Sequence, residues 1–134
     1  MKWGSIDVKQ FEELQKRVEQ LQKVDMDAFC KKIAKELAAR LLRMVKQRTP
    51  VDSGNLRRNW QTSELTYSDK EYKITIYNAT EYAVYVEYGH RTRNHKGWVE
   101  GRFMITKSEL LLGSQVEKII ETRLKTFLEG KLNG

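Results

Sequence analysis

Along the first fifty residues the apolar positions fall at helical intervals, and they do so in two blocks. From Asp7 to Gln22, Phe11, Leu14, Val18 and Leu21 recur with 3–4–3 spacing, and Asp7 with Gln10 forms a capping pair. Charged and amide side chains occupy almost every other position, so the seam is narrow and this helix is expected to lean on another helix or chain. Val24-Asp25-Met26-Asp27 interrupts the pattern. From Asp27 to Arg48, Phe29, Ile33, Leu37, Leu41, Met44 and Val45, with Ala34 and Ala38, fill one broad face. Lys31, Lys32, Lys35, Arg43 and Lys46 lie mostly opposite. Acid at the start and base at the end suit the helix dipole, and Pro50, the only proline, disfavours helical geometry at Thr49.

Beyond Pro50 the period changes. Val51-Asp52-Ser53-Gly54-Asn55 is turn chemistry, with side chains that bond locally and a glycine that accepts positive φ. Residues 58–67 and 71–78 read as two strands joined by Ser68-Asp69-Lys70, with Tyr72, Ile74 and Ile76 alternating against Lys73, Thr75 and Tyr77. The run 82–88 fits a strand or a short helical turn equally well, being too short for periodicity to decide. Residues 89–101 have the composition of a basic loop. Helical spacing returns at 103–112 and, after a break at Gly113-Ser114, at 114–128, where Val116, Ile119, Ile120, Leu124, Phe127 and Leu128 share a face. The expected fold class is α+β in one domain: a small antiparallel sheet of three or four strands packed by the long helix and the C-terminal helices.

Composition narrows the function classes. The 134 residues are 40% apolar and 32% charged, which suits a small core with much exposed surface. The aromatic share of 10% and the clear patterning exclude a disordered chain. Cys30, the single cysteine, lies among Phe29, Ile33 and Leu37 and reads as a buried reduced thiol. No apolar run approaches the roughly 18 residues of a membrane span, and no signal segment opens the chain, so a reducing cytoplasm is the expected place of synthesis. The formal charge of +7 is concentrated at 31–48 and 89–102, while 49–88 is slightly acidic. Such a surface suits nucleic acid through counterion release or an acidic protein ring through complementary potential, and charge does not choose between them.

Candidate chemistry is sparse. Glu87 and His90 could share a helical turn, but a metal needs more ligands, and the cations around His95 disfavour one. Ser53 sits in a tight turn with no histidine near it in sequence and no nucleophile elbow. Gly89, Gly97 and Gly101 form neither a Walker loop nor a dinucleotide fingerprint. No catalytic residue, metal or cofactor is expected, and the chain reads as a non-enzyme. The interleaved Arg91, Arg93, His95, Lys96 and Trp98 keep a nucleic-acid-binding module open as the alternative.

Thr49-Pro50-Val51-Asp52-Ser53-Gly54-Asn55-Leu56-Arg57-Arg58-Asn59-Trp60 resembles the TPVDTGxLRxSW motif of a phage tail-component family. Its members include head–tail joining, tail-completion and neck proteins of long-tailed phages and of phage-tail-like bacteriocins. A YAxYVExGH run follows there, matched by Tyr82–His90, and then a Gly-Arg-Phe-Met entry to the last helices, matched by Gly101–Met104. The order matches over 27–128. The helix at 7–22 is an extension, and Glu100 stands where many relatives have proline. The resemblance implies a structural subunit that is monomeric when free and forms a ring, six-fold by expectation, at the head-proximal end of the tail. Its partners would be tail terminator, tube or connector rings. It would assemble in the host bacterial cytoplasm and end in a virion or tail-like particle. Most of the motif reads as fold-defining. The partner interface is expected at Arg57, Arg58, Glu87, His90, Arg91, Arg93, His95, Lys96, Trp98 and Arg102. The basic loop would be disordered in the free subunit and order against a neighbouring ring.

Overall fold

The computed structural model describes residues 2–7, 23–51 and 54–133. In order these form β1 (Lys2–Asp7), α1 (Lys23–Arg48), α2 (Asn55–Arg58), β2 (Trp60–Thr62), β3 (Thr66–Ser68), β4 (Glu71–Asn78), α3 (Ala83–Tyr88), β5 (Gly89–Arg91), β6 (Trp98–Glu100) and α4 (Met104–Asn133). The architecture is α+β, as the patterning predicts.

β4 is the centre of the main sheet. Its alternation of apolar and polar positions buries Tyr72, Ile74, Ile76 and Asn78 on one face and leaves the intervening residues partly exposed. β1 pairs antiparallel along one side of it, while β2 and β3 pair antiparallel along the other. β2 and β3 are one strand interrupted by a bulge. Thr62 faces Ile76 and Thr66 faces Lys73, so three residues oppose two. Ser63 secures the irregularity: its N–H donates to the Thr75 carbonyl at 2.8 Å and its hydroxyl accepts from the Thr75 N–H at 2.8 Å. Asp69 and Lys70, at φ 50° and 62°, close a two-residue hairpin of the primed type that matches strand twist.

α1 packs on β4 and β2 with one face and along α4. Met26, Ile33, Leu37, Leu41 and Val45 are almost wholly buried there, together with Ile76 of β4 and Met104, Ile105, Leu112 and Ile120 of α4. Phe29 meets Phe127 with ring centroids 4.7 Å apart, and Glu36 joins Arg123 at 2.9 Å across the two helices. Cys30 is buried, and that burial pushes its thiol up to about 11.

Several expectations need correction. α1 begins at Lys23, so Val24–Asp27 is its first turn rather than a break. Asp7 ends a strand instead of capping a helix, while the rest of the expected leading helix lies outside the described residues. Arg58 closes a short helix, so the strand expected over 58–67 is two shorter pieces. The C-terminal region is one continuous helix. Gly113 costs local stability, yet the flanking apolar residues pack on α1 and carry the helix through it.

Candidate docking site

The turn after α1 is built around a threonine and a tryptophan. Thr49, buried just past the helix end, donates its hydroxyl to the Val45 carbonyl at 2.6 Å and accepts the Trp60 indole N–H at 2.8 Å. Trp60, 2% exposed, thereby ties the start of β2 to the end of α1. Gly54 at φ 82° reverses the chain between them. Asn78, fully buried at the end of β4, donates to the Leu56 carbonyl at 2.9 Å and accepts from the N–H and hydroxyl of Thr80. Asn55 donates to the Tyr82 hydroxyl at 3.0 Å, linking α2 to the approach to α3. Arg57 and Arg58 are exposed on α2. Most of this motif is therefore occupied in making a helix turn into a sheet.

The segment 89–102 is an ordered β-ribbon rather than an unstructured loop. Gly89, His90 and Arg91 pair antiparallel with Glu100, Val99 and Trp98. The turn at its tip is held by local bonds, with the Thr92 N–H on the Gly97 carbonyl at 3.0 Å and the Lys96 N–H on the Asn94 side chain at 3.0 Å. Threonine and asparagine supply the order that composition conceals. Arg91, Arg93, His95, Lys96, Trp98 and Arg102 are all exposed, and His90 is half-buried.

The ribbon's base is fixed by backbone. Arg102 and Phe103 N–H groups donate to the Val86 and Glu87 carbonyls of α3 at 2.8 and 3.0 Å. A methyl group on Gly101 would lie 2.4 Å from the Glu87 carbonyl, and one on Gly89 would strike the Val99 carbonyl at 2.6 Å. Only glycine allows so close an approach at either strand end.

Glu87 departs most from the expected interface. It is fully buried, accepting the N–H groups of Ile105 and Thr106 at 3.0 Å each and the Thr106 hydroxyl at 2.7 Å. It caps the N-terminus of α4, where a carboxylate satisfies orphan donors and opposes the helix dipole. It is thus an internal strut in this subunit and not a surface contact. Burial and the nearby Glu87 charge push the Glu109 carboxyl above its ordinary range.

Exposed aromatics complete the surface. Tyr82, Tyr85 and Tyr88 are 42%, 57% and 55% exposed, and Trp98 and Val99 are 56% and 43% exposed. Tyr85, His90, Arg91, His95 and Trp98 line a shallow recess over Gly89. Tyr85 stands edge-on to His90 at 6.4 Å, and the buried His90 Nδ1 has no partner among the described residues. The tyrosines escaped the expected set because 82–88 could not be assigned to helix or strand. As a helix, its 3–3 tyrosine spacing marks one outward face. The recess offers stacking surface and cations, with no nucleophile–base pair. Among the described residues no three His, Cys, Asp or Glu side chains converge on a metal position, and no helix is long and apolar enough to cross a membrane.

A family model described as "Bacteriophage HK97-gp10, putative tail-component" matches residues 12–89. No curated protein sequence and no solved structure matches the chain significantly. The matched span takes in residues 12–22, so most of the leading segment treated as an extension falls within the family. It stops at Gly89, where the ribbon begins. The match covers more than half of the chain, from before α1 through β4 and α3, and on that basis the protein belongs to the HK97-gp10-like family of phage tail components.

Proposed function

We propose that this chain is a structural subunit of the head–tail junction of a phage or phage-tail-like particle. There it forms or completes a ring at the head-proximal end of the tail, and the β5–β6 ribbon is its docking element. The observation that carries the reading is the ribbon itself. It projects four cations, Arg91, Arg93, Lys96 and Arg102, with Trp98 and Val99 exposed between them, from a base held rigidly by backbone bonds. Aromatic and arginine side chains on a preformed scaffold are the composition of a protein-binding surface. The subunit makes no bond-breaking step; it works by shape and charge against other particle proteins, free in the host cytoplasm first and in the particle afterwards.

Removing residues 91–96 tests this. The helices and main sheet should persist by circular dichroism, while the yield of joined particles should collapse. Normal yield would eliminate the docking role. The second reading, a nucleic-acid module, draws on Trp98 standing exposed beside Arg91 in the same recess. It requires DNA affinity that falls steeply with salt, and absence of measurable binding at physiological salt rejects it.

A further inference from the structure

Among the described residues the outer sides of β1, β2–β3 and β6 are open strand edges, and only the segments around the last two carry opposite net charge. β2–β3 is an edge of the main sheet, with β4 as its only pairing neighbour among the described residues. Its two-residue turn fixes Ser68 and Glu71 as a bonded pair, and bonded pairs alternate, so the backbone groups of Tyr67 face outward. β6 is the open side of the ribbon: every residue of it is exposed, whereas β5 has Gly89 buried and His90 half-buried. Unpaired edges of this kind recruit another strand unless they are blocked, and the bulge at 63–65 leaves Thr66–Ser68 as the regular part of the β2–β3 edge. A lone two-stranded ribbon is also marginal in water and gains stability from a third strand.

Charge and shape single out these two edges as mates. Residues 89–102 carry Arg91, Arg93, Lys96 and Arg102 against Glu100, while residues 61–71 carry Glu64, Asp69 and Glu71 against Lys70. Beside the β2–β3 edge runs a groove between the strand and α1, floored by Ala38, Leu42, Leu65 and Ile74. Lys31 and Lys35 stand on its α1 side, Lys31 tied to Asp27 at 3.0 Å, and Glu64 stands on its strand side. The groove can take an apolar side chain such as Val99 from an added strand. We propose that β6 of one copy of this chain adds to the β2–β3 edge of the next copy, extending the main sheet across the subunit boundary. This names the partner of the docking ribbon and rests on the ring reading. A contact joining two different surfaces head to tail repeats from copy to copy and closes a ring where the rotation allows.

The test uses the full chain in purified particles, with Thr66→Cys and Val99→Cys combined and a short bis-maleimide as linker. Cys30 is buried and stays silent. The double variant should give a ladder of linked oligomers ending at the ring size, and neither single variant should pass dimer. A double variant that enters particles yet gives no ladder overturns the inference and leaves the ring reading standing. Wild-type chain missing from purified particles would instead defeat that reading. Should the cysteine variant not enter particles, charge exchange decides. Arg91→Glu with Arg93→Glu should lower particle yield at least tenfold, and adding Glu64→Lys with Glu71→Lys should restore most of it. No restoration overturns the pairing.

Discussion

Thr49 is a small residue with a large share of the fold. Its one hydroxyl donates to a helix carbonyl and accepts an indole N–H, so removing it orphans a buried donor on Trp60. Thr49→Val keeps the shape and loses both bonds. It should cost about 1–3 kcal/mol in urea unfolding, the usual penalty for a buried group left unpaired. At this scale the sequence was partly legible. The spacing that put Phe29, Ile33, Leu37 and Leu41 on one face identified core residues, because a helix buries every third or fourth position whatever its partner. The role of Glu87 was hidden. Its three donors come from residues 105 and 106, some eighteen positions away, and no local pattern announces such a contact.

Elements show where local rules lose to packing. Gly113 with Ser114 reads as a helix break, but α4 runs through both, since buried Leu112 and Ile120 on either side hold it against α1. Nothing lies within 4 Å of a methyl group placed on Gly113. Gly113→Ala should therefore stabilise the protein by about 0.5–1 kcal/mol, visible as a raised urea midpoint at unchanged slope. Glu87→Ala should act in the opposite sense. Loss of the α4 cap should cost at least about 1–2 kcal/mol, and amide exchange should quicken first at Ile105 and Thr106. β4 was legible because alternation is a two-residue rule. The ribbon was not, because its strands are three residues long and its order comes from turn bonds between Thr92, Asn94 and Gly97.

At the scale of the whole molecule, α1 and α4 are joined by Glu36, which accepts from Arg123 and from Arg40 at 3.2 Å. Arg123 first, then Arg40, holds the Glu36 carboxyl below its ordinary value of 4.5, against the opposing effect of burial. A depressed carboxyl contributes its stability above 4.5 and loses it as pH falls through the folded value. Stability should decline on the acid side of pH 4.5, and Arg123→Ala should flatten that decline in urea titrations at pH 7 and pH 3. Arg123 is about half exposed, so the effect at neutral pH should stay within about 1 kcal/mol.

The glycine-and-backbone anchorage of the ribbon has a consequence for which of its side chains are replaceable. Its aim is set at Gly89, Gly101 and two main-chain N–H groups, none of which depends on what the tip carries. The exposed side chains of Arg93, His95 and Lys96 are therefore a cartridge in a fixed mount, while Thr92, Asn94 and Gly97 hold the turn. Exchanging those side chains should leave the frame beneath unchanged, with the helix and sheet signal of circular dichroism kept at its wild-type level.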